Sequence, residues 1–279
     1  MKQNYQTNPA VINLANKVAI VTGGDKGLGK GIVEVLTRCG AIVYIACRDV
    51  KNADAVVQGL TKLGRRSFPV ELDVTKQNSV DAMIKKIIGQ SGAIDILVNN
   101  AGVLGGADWA TREVENDEDW EINYQVNLRG VARVTEAVAV SMKENKFGKI
   151  INISSNAGRG GNKRHIPSSY GATKAAVINL TQTNALDLAP FNINVNCVCP
   201  GLIWTSMLDT ITTRLGSFDS SAKGLSQQAI YDSQIINRVP LGRAQTAEDI
   251  GYAVAFLASE LAQNITGQSI NVNGGIRMN

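Results

Sequence analysis

The sequence predicts an α/β fold, a doubly wound parallel sheet of about seven strands in a single domain. Three observations carry that expectation. Short apolar runs recur along the chain, segments of helical spacing separate them, and no Pro- or Ser-rich linker, composition break or internal repeat interrupts the alternation. The runs are near-continuous rather than alternating, as strands covered on both faces require.

A polar arm is expected over residues 1–16, followed by the domain proper over 17–279. Strands are expected at Val18–Val21, Ile42–Ala46, Phe68–Leu72, Ile94–Val98, Lys149–Ile153, Ile193–Val198 and Ser269–Val272. Helices are expected at Gly29–Arg38, Asn52–Leu63, Ser79–Ile88, Asp119–Lys143, Ser169–Leu188 and Ala247–Ser259. Right-handed crossovers then place helices on both faces. Gly201–Val239 breaks the rhythm, and a connection of that length reads as a substrate loop with short helices of its own, one around Leu225–Arg238.

Composition narrows the function classes. With 279 residues, 44% hydrophobic and 19% charged, the chain can bury a full core. A net charge of +4 without a long basic run argues against nucleic acid or an anionic membrane as the main partner. No apolar stretch approaches the ~20 residues of a membrane span, and the first residues lack a signal-peptide core, so a cytoplasmic location is expected. Cys39, Cys47, Cys197 and Cys199 do not read as a disulfide framework. With His165 as the one histidine and no CxxC pair, no metal site is expected, and a Ser-His-Asp triad would have to use that histidine. The acidic run Glu113–Asp119 reads as a solvated loop feeding a helix N-terminus rather than as a metal site.

The first strand runs into Thr22-Gly23-Gly24-Asp25-Lys26-Gly27-Leu28-Gly29 and then a helix. That geometry aims backbone N–H groups and the helix dipole at a phosphate. Gly24-x4-Gly29-Lys30 nearly matches a nucleoside-triphosphate loop, but Gly31 lacks the hydroxyl that would hold Mg²⁺, and the strand IDILV ends in Asn99 rather than an acid. Tyr170 and Lys174, four apart on a helix, share a face, which lets an ammonium act on a phenol.

Taken in order, TGGDKGLG, Asn99-Asn100-Ala101-Gly102, Tyr170-Gly171-Ala172-Thr173-Lys174 and Cys199-Pro200-Gly201 resemble a single-domain short-chain dehydrogenase/reductase, over roughly residues 15–275. The resemblance implies a Rossmann fold and hydride transfer between a nicotinamide and a small carbonyl or secondary alcohol. It assigns Tyr170 as acid/base, Lys174 as the group that tunes it, Ser155 as the carbonyl orienter and Asn127 as a water-holding relay. Ser154 is then a structural strand-end residue. The Ser155–Tyr170 gap is about two residues longer than in many relatives, and Lys163, Arg164 and His165 in that loop are either substrate contacts or solvated. A homotetramer built partly on the helices of Asn127 and Tyr170 is also implied.

The same resemblance gives the cofactor residues. Gly23, Asp25, Lys26, Gly27, Leu28 and Gly29 form the turn, Asp73 and Val74 meet the adenine, and Asn100, Ala101 and Gly102 line the cofactor. Tyr170 and Lys174 reach its ribose side, Pro200 and Gly201 follow the sixth strand, and Ile203 and Thr205 meet the carboxamide. Cys47 stands where an NAD enzyme places an acid, and Arg48 and Lys26 supply cations for a 2′-phosphate, so NADP is expected. Asp49, one step on, keeps NAD as the alternative. Trp204, Met207 and Leu208 are expected to form an apolar substrate wall. Two competing readings are a catalytically silent dinucleotide sensor and a sugar-nucleotide epimerase. The full Ser, Tyr and Lys set speaks against the first, and the missing TGxxGxxG motif and substrate domain speak against the second.

Overall fold

A computed structural model describes residues 12–160 and 167–279. Lys163, Arg164 and His165, and the first eleven residues of the expected arm, lie outside the described residues. Seven parallel strands form one sheet: β1 (Val18–Thr22), β2 (Ile42–Cys47), β3 (Ser67–Glu71), β4 (Ile96–Asn99), β5 (Gly148–Ile153), β6 (Ile193–Pro200) and β7 (Ser269–Val272), in the order β3-β2-β1-β4-β5-β6-β7. The helices are α1 (Gly27–Arg38), α2 (Val50–Thr61), α3 (Gln77–Ser91), α4 (Asp117–Asn123), α5 (Gly130–Asn145), α6 (Ser168–Leu188), α7 (Ser206–Phe218), α8 (Gln227–Arg238) and α9 (Ala247–Ala258).

The strands divide their side chains between two cores, as a period of two dictates. Ala19, Val21, Val43, Ile45, Ile96 and Val98 pack under α1, α2 and α9. Val18, Ile20, Tyr44, Ala46 and Leu97 pack under α3, α5 and α6. Strand order reverses between β1 and β4, so a crevice opens there at the carboxyl ends of the strands, the place where open α/β sheets bind ligands. α1 reaches that crevice because it crosses α9 closely: a Cβ on Gly31 would lie 2.4 Å from Ala247 Cβ, and one on Gly251 would lie 2.6 Å from Val35 Cγ2.

Two features differ from the expectation. Leu14 of the supposed polar arm is buried and its N–H bonds the Cys39 carbonyl at 2.8 Å, so the packed fold begins before residue 17. The helix expected at Asp119–Lys143 is α4, a wide π-helical turn over Tyr124–Arg129, and α5 in succession. The segment over 201–239 does hold helices of its own, α8 where one was expected and α7 before it. All four cysteines are free, and no described helix is long and apolar enough to cross a membrane.

Candidate active site

The turn after β1 leaves helix α1 open to an anion. Gly23 and Gly27 have φ of +64° and +52°, conformations that glycine adopts without cost. A Cβ on Gly29 would sit 2.1 Å from the Gly23 carbonyl oxygen. Lys26, the N-cap of α1, makes no side-chain cap bond, and the first turn of the helix holds no acid. The N–H groups of that turn therefore face the crevice without an internal side-chain partner. Asn100 fixes the turn to β4 by donating from Nδ2 to the carbonyls of Thr22 at 2.9 Å and Gly23 at 3.0 Å.

Below the turn, α6 carries Tyr170 and Lys174 beside the end of β5. Glu115 caps this helix from a distance, accepting from the N–H groups of Ser168 and Ser169 at 2.6 and 3.1 Å. Burial pushes the Tyr170 phenol above its ordinary pKa, against a hydrogen bond with Ser155 that lowers it. Burial likewise draws the Lys174 ammonium down to about 8. Lys174 Nζ donates to the Ile153 carbonyl at 2.9 Å and lies 5.7 Å from the Tyr170 ring centre. Behind it, Cys197 and Cys199 project from one face of β6. The hydrogen bond with Cys199, together with burial, pushes Cys197 up and keeps it a neutral thiol.

The two strand-end serines separate by contact. Ser154 Oγ donates to the Lys174 carbonyl at 2.7 Å and ties β5 to α6. Ser155 lies against Tyr170, donates to Asn156 Oδ1 at 3.2 Å and accepts from the Ala157 N–H at 3.1 Å.

Asn127 sits fully buried in the wide turn between α4 and α5. Its Oδ1 accepts from the Val103 N–H at 2.8 Å, and its Nδ2 donates to the Val103 carbonyl at 2.9 Å and to Asn123 Oδ1 at 2.6 Å. The side chain thus behaves as a strand partner for Val103, which explains why an indifferent helix former stands there. Gly102 passes beside it, where a Cβ would lie 3.2 Å from Asn127 Oδ1 and 3.5 Å from Lys174 Nζ.

These groups share one cleft of about 550 Å³, which runs from the glycine turn to α7. It brings together Gly23, Asp25–Gly29, Asn100–Gly102, Ser155, Tyr170, Lys174, Pro200, Gly201, Ile203 and Thr205. Asn127 stands behind the wall, and three residues expected to bind the cofactor also lie off the described lining. Arg48 is exposed just beyond β2. Asp73 is held by Thr75, its Oδ1 accepting from N at 3.0 Å and Oγ1 at 2.6 Å. Val74 packs on Gly130 and accepts from Arg133 at 2.6 Å. At the β2 corner, burial pushes the Cys47 thiol up to about 12, with Asp25 and Asp49 nearby adding to the rise. Asp49 itself caps α2 by accepting from the Lys51 N–H at 3.1 Å. Met207 and Leu208 line the cleft, whereas Trp204 is off the lining, 42% exposed and edge-on to Tyr231 at 5.0 Å.

Sequence reasoning missed several supports. Asp119 is fully buried rather than solvated. Burial alone would raise its pKa, but bonds from the Asn116 and Gly106 N–H groups and from Arg112 outweigh this and hold it below the usual carboxylate range. Asn123, also buried, donates to the Leu104 carbonyl at 2.8 Å and Ser169 Oγ at 3.0 Å. Arg214 was not singled out at all. Only Asp119 left a local sign, the Asn116-x-x-Asp119 capping box. No group of three or more metal-ligating His, Cys, Asp or Glu side chains gathers among the described residues.

Known proteins resemble this chain in sequence and in fold. Residues 17–216 match the short chain dehydrogenase family. The 3-oxoacyl-[acyl-carrier-protein] reductase FabG of Staphylococcus epidermidis is 36% identical over 266 residues, covering 94% of this chain and all of that one. The cyclohexanol dehydrogenase of Rhodococcus sp. strain TK6 is 34% identical over 276 residues, covering 94% and 97%. The crystal structure of a short-chain type dehydrogenase/reductase from Mycobacterium marinum superposes with a TM-score of 0.82 at 29% identity, covering 96% and 98%.

Proposed function

The chain belongs to the short-chain dehydrogenase family, and from that premise we propose that it moves a hydride between NADP(H) and the carbonyl carbon of a small ketone or the matching secondary alcohol. An NAD(P)-dependent oxidoreductase acting on CH–OH and C=O groups is what the family membership establishes. The observation that carries the finer reading is the convergence of Ser155, Tyr170 and Lys174 on one wall of the cleft below an uncapped α1.

The residues present fit a dinucleotide. The N–H groups of the glycine turn and the Lys26 ammonium would hold its phosphates, Asn100 to Gly102 its centre, and Pro200, Gly201, Ile203 and Thr205 its nicotinamide end. When bound, the cofactor supplies or takes the hydride. Tyr170, kept protonated by burial, gives its proton to the carbonyl oxygen as charge gathers there. Ser155 donates a second hydrogen bond to that oxygen and fixes its direction. Lys174 adds positive charge one turn away and stabilises the phenolate that remains. Asn127 holds the Val103 main chain in place, and its wide helical turn gives water a foothold for returning the proton.

NADP is favoured over NAD by the exposed cations Lys26 and Arg48, by the buried Cys47 in place of an acid, and by the engagement of Asp49 as a helix cap. The relatives' names print different substrates, an acyl-carrier thioester and a cyclic alcohol, and so leave the carbonyl class open. A silent dinucleotide sensor would have no use for the three reacting groups together. The reading includes a cytoplasmic homotetramer, supported by exposed Trp120 and Tyr124 on the helical stretch around Asn127, and sedimentation would test the oligomer. Fluorescence titration of NADPH and NADH, followed by a ketone screen read as NADPH oxidation, tests the whole. Binding of neither nucleotide would overturn it.

A further inference from the structure

The two walls of the cleft farthest from the glycine turn are joined by one buried cation. Arg214 of α7 is 5% exposed. Its guanidinium stacks 4.9 Å from the Trp109 ring centre and 5.2 Å from that of Phe218. It donates to the main-chain carbonyls of Trp109 at 3.0 Å, Glu113 at 2.7 Å and Arg112. Three carbonyl acceptors on a loop about a hundred residues away make a clasp, because parting them would leave a buried charge without partners. The Trp109 indole N–H is itself buried without a hydrogen-bond partner, so packing and the Arg214 stack hold that ring.

The clasped elements supply the substrate end of the cleft. Leu104, Trp109 and Ala110 lie on the loop side, and Met207, Leu208 and Ile211 on the α7 side. Leu104, Trp109, Met207 and Ile211 pack in one apolar cluster with Tyr170. No charged side chain lines this end among the described residues. A carboxylate or phosphate placed there would lose its water and gain no partner among the described residues. A long acyl chain would have to pass between this loop and α7, which the Arg214 bonds tie together.

Resting on the hydride-transfer reading above, we propose that Arg214 is a specificity-determining positioning residue that closes the far end of the substrate cleft, and that the site takes compact, uncharged, apolar ketones or secondary alcohols, alicyclic or short and branched. Linear chains and anionic keto compounds are excluded by shape and by desolvation respectively.

The test compares cyclohexanone, a linear 3-oxoacyl N-acetylcysteamine thioester and a 2-oxo acid anion with the wild type and NADPH. The cyclic ketone is expected to lead in kcat/KM by about tenfold or more. Arg214→Met and Arg214→Lys should raise KM for the cyclic ketone about fivefold or more with kcat little changed, and shift preference toward the linear thioester. NADPH affinity by fluorescence should stay the same. Phe218→Ala, which trims one side of the stack, carries the same expectation should the arginine variants fail to fold. A wild type that prefers the thioester or the acid overturns the substrate class, and variants with an unchanged cyclic-to-linear ratio overturn the clasp. Failure to bind NADPH or NADH would overturn the hydride-transfer reading and take this inference with it, whereas NADPH binding with none of the three reduced overturns this inference alone. Reduction in the wrong order overturns this inference alone.

Discussion

The Lys174 ammonium and the Tyr170 ring centre stand 5.7 Å apart on one face of α6, with no direct hydrogen bond between the two side chains. The lysine instead spends a bond on the Ile153 carbonyl, and burial acts on both groups against charge. The pair is therefore set for a neutral phenol that gives up its proton only when substrate and a positive ring arrive beside it.

Removing that proton isolates the chemistry from binding. Tyr170→Phe should lower carbonyl reduction by about 100- to 10,000-fold, the usual range for a general acid. NADPH affinity, measured by nicotinamide fluorescence, should stay within about twofold, because the phenol contributes less to binding than the glycine turn does. Retained turnover would remove Tyr170 from the acid role.

Lys174 carries a stability signature as well. Its folded pKa of about 8 lies below the ordinary lysine value of about 10.4, so between those values the unfolded chain holds a proton that the folded chain has released. Stability should then rise with pH from about 8 to about 10.4, by roughly 3 kcal/mol in total, and the full penalty is present below pH 8. Lys174→Met should abolish activity and remove that rise, seen as the difference between wild-type and variant urea midpoints across this window. Parallel curves for the two proteins would contradict the assignment.

Much of this was readable from local pattern. Ser269–Val272 is a strand at both levels, and the apolar runs fall within one or two residues of β1 to β6, because strands covered on both faces have little choice but to be apolar. The four motifs, each at a strand end or a helix start, located the cleft. What stayed hidden depends on partners far along the chain. Glu115 caps a helix 53 residues on, and Arg214 bonds carbonyls more than 100 residues back. Carbonyl acceptors leave no mark in a sequence. The role of Asn127 in the wide turn was hidden for a related reason, since its side chain bonds to the main chain of Val103.

The β2 corner makes a charge prediction. Lys26 and Arg48 are exposed cations there, while Asp25 lines the cleft near Cys47 and opposes them. Arg48→Ala and Lys26→Ala should each weaken NADPH about tenfold and leave NADH little affected, as expected for loss of a charge-assisted phosphate bond. Asp25→Ser should tighten NADPH by removing a like charge. Both effects should shrink in high salt. Titrations in which NADH suffers as much as NADPH would mean that these cations do not reach the 2′-phosphate.

Gly31→Ser completes the string GxxxxGKS and so asks whether sequence or packing decides the site. A phosphate-loop reading would have the new hydroxyl hold Mg²⁺ and create ATP binding. The geometry argues otherwise, because any Cβ at this position meets Ala247 Cβ at 2.4 Å and the Ala247 carbonyl carbon at 2.9 Å. Overpacking of that kind typically costs about 1–3 kcal/mol. The variant should therefore melt lower, bind no Mg–ATP by calorimetry, and hold NADPH more weakly, since α1 can no longer lie close to α9. Ala247→Gly in the same chain relieves the closest contact and should recover part of the loss. If Gly31→Ser kept full stability, the close approach of α1 to α9 would not be what fixes the cofactor turn.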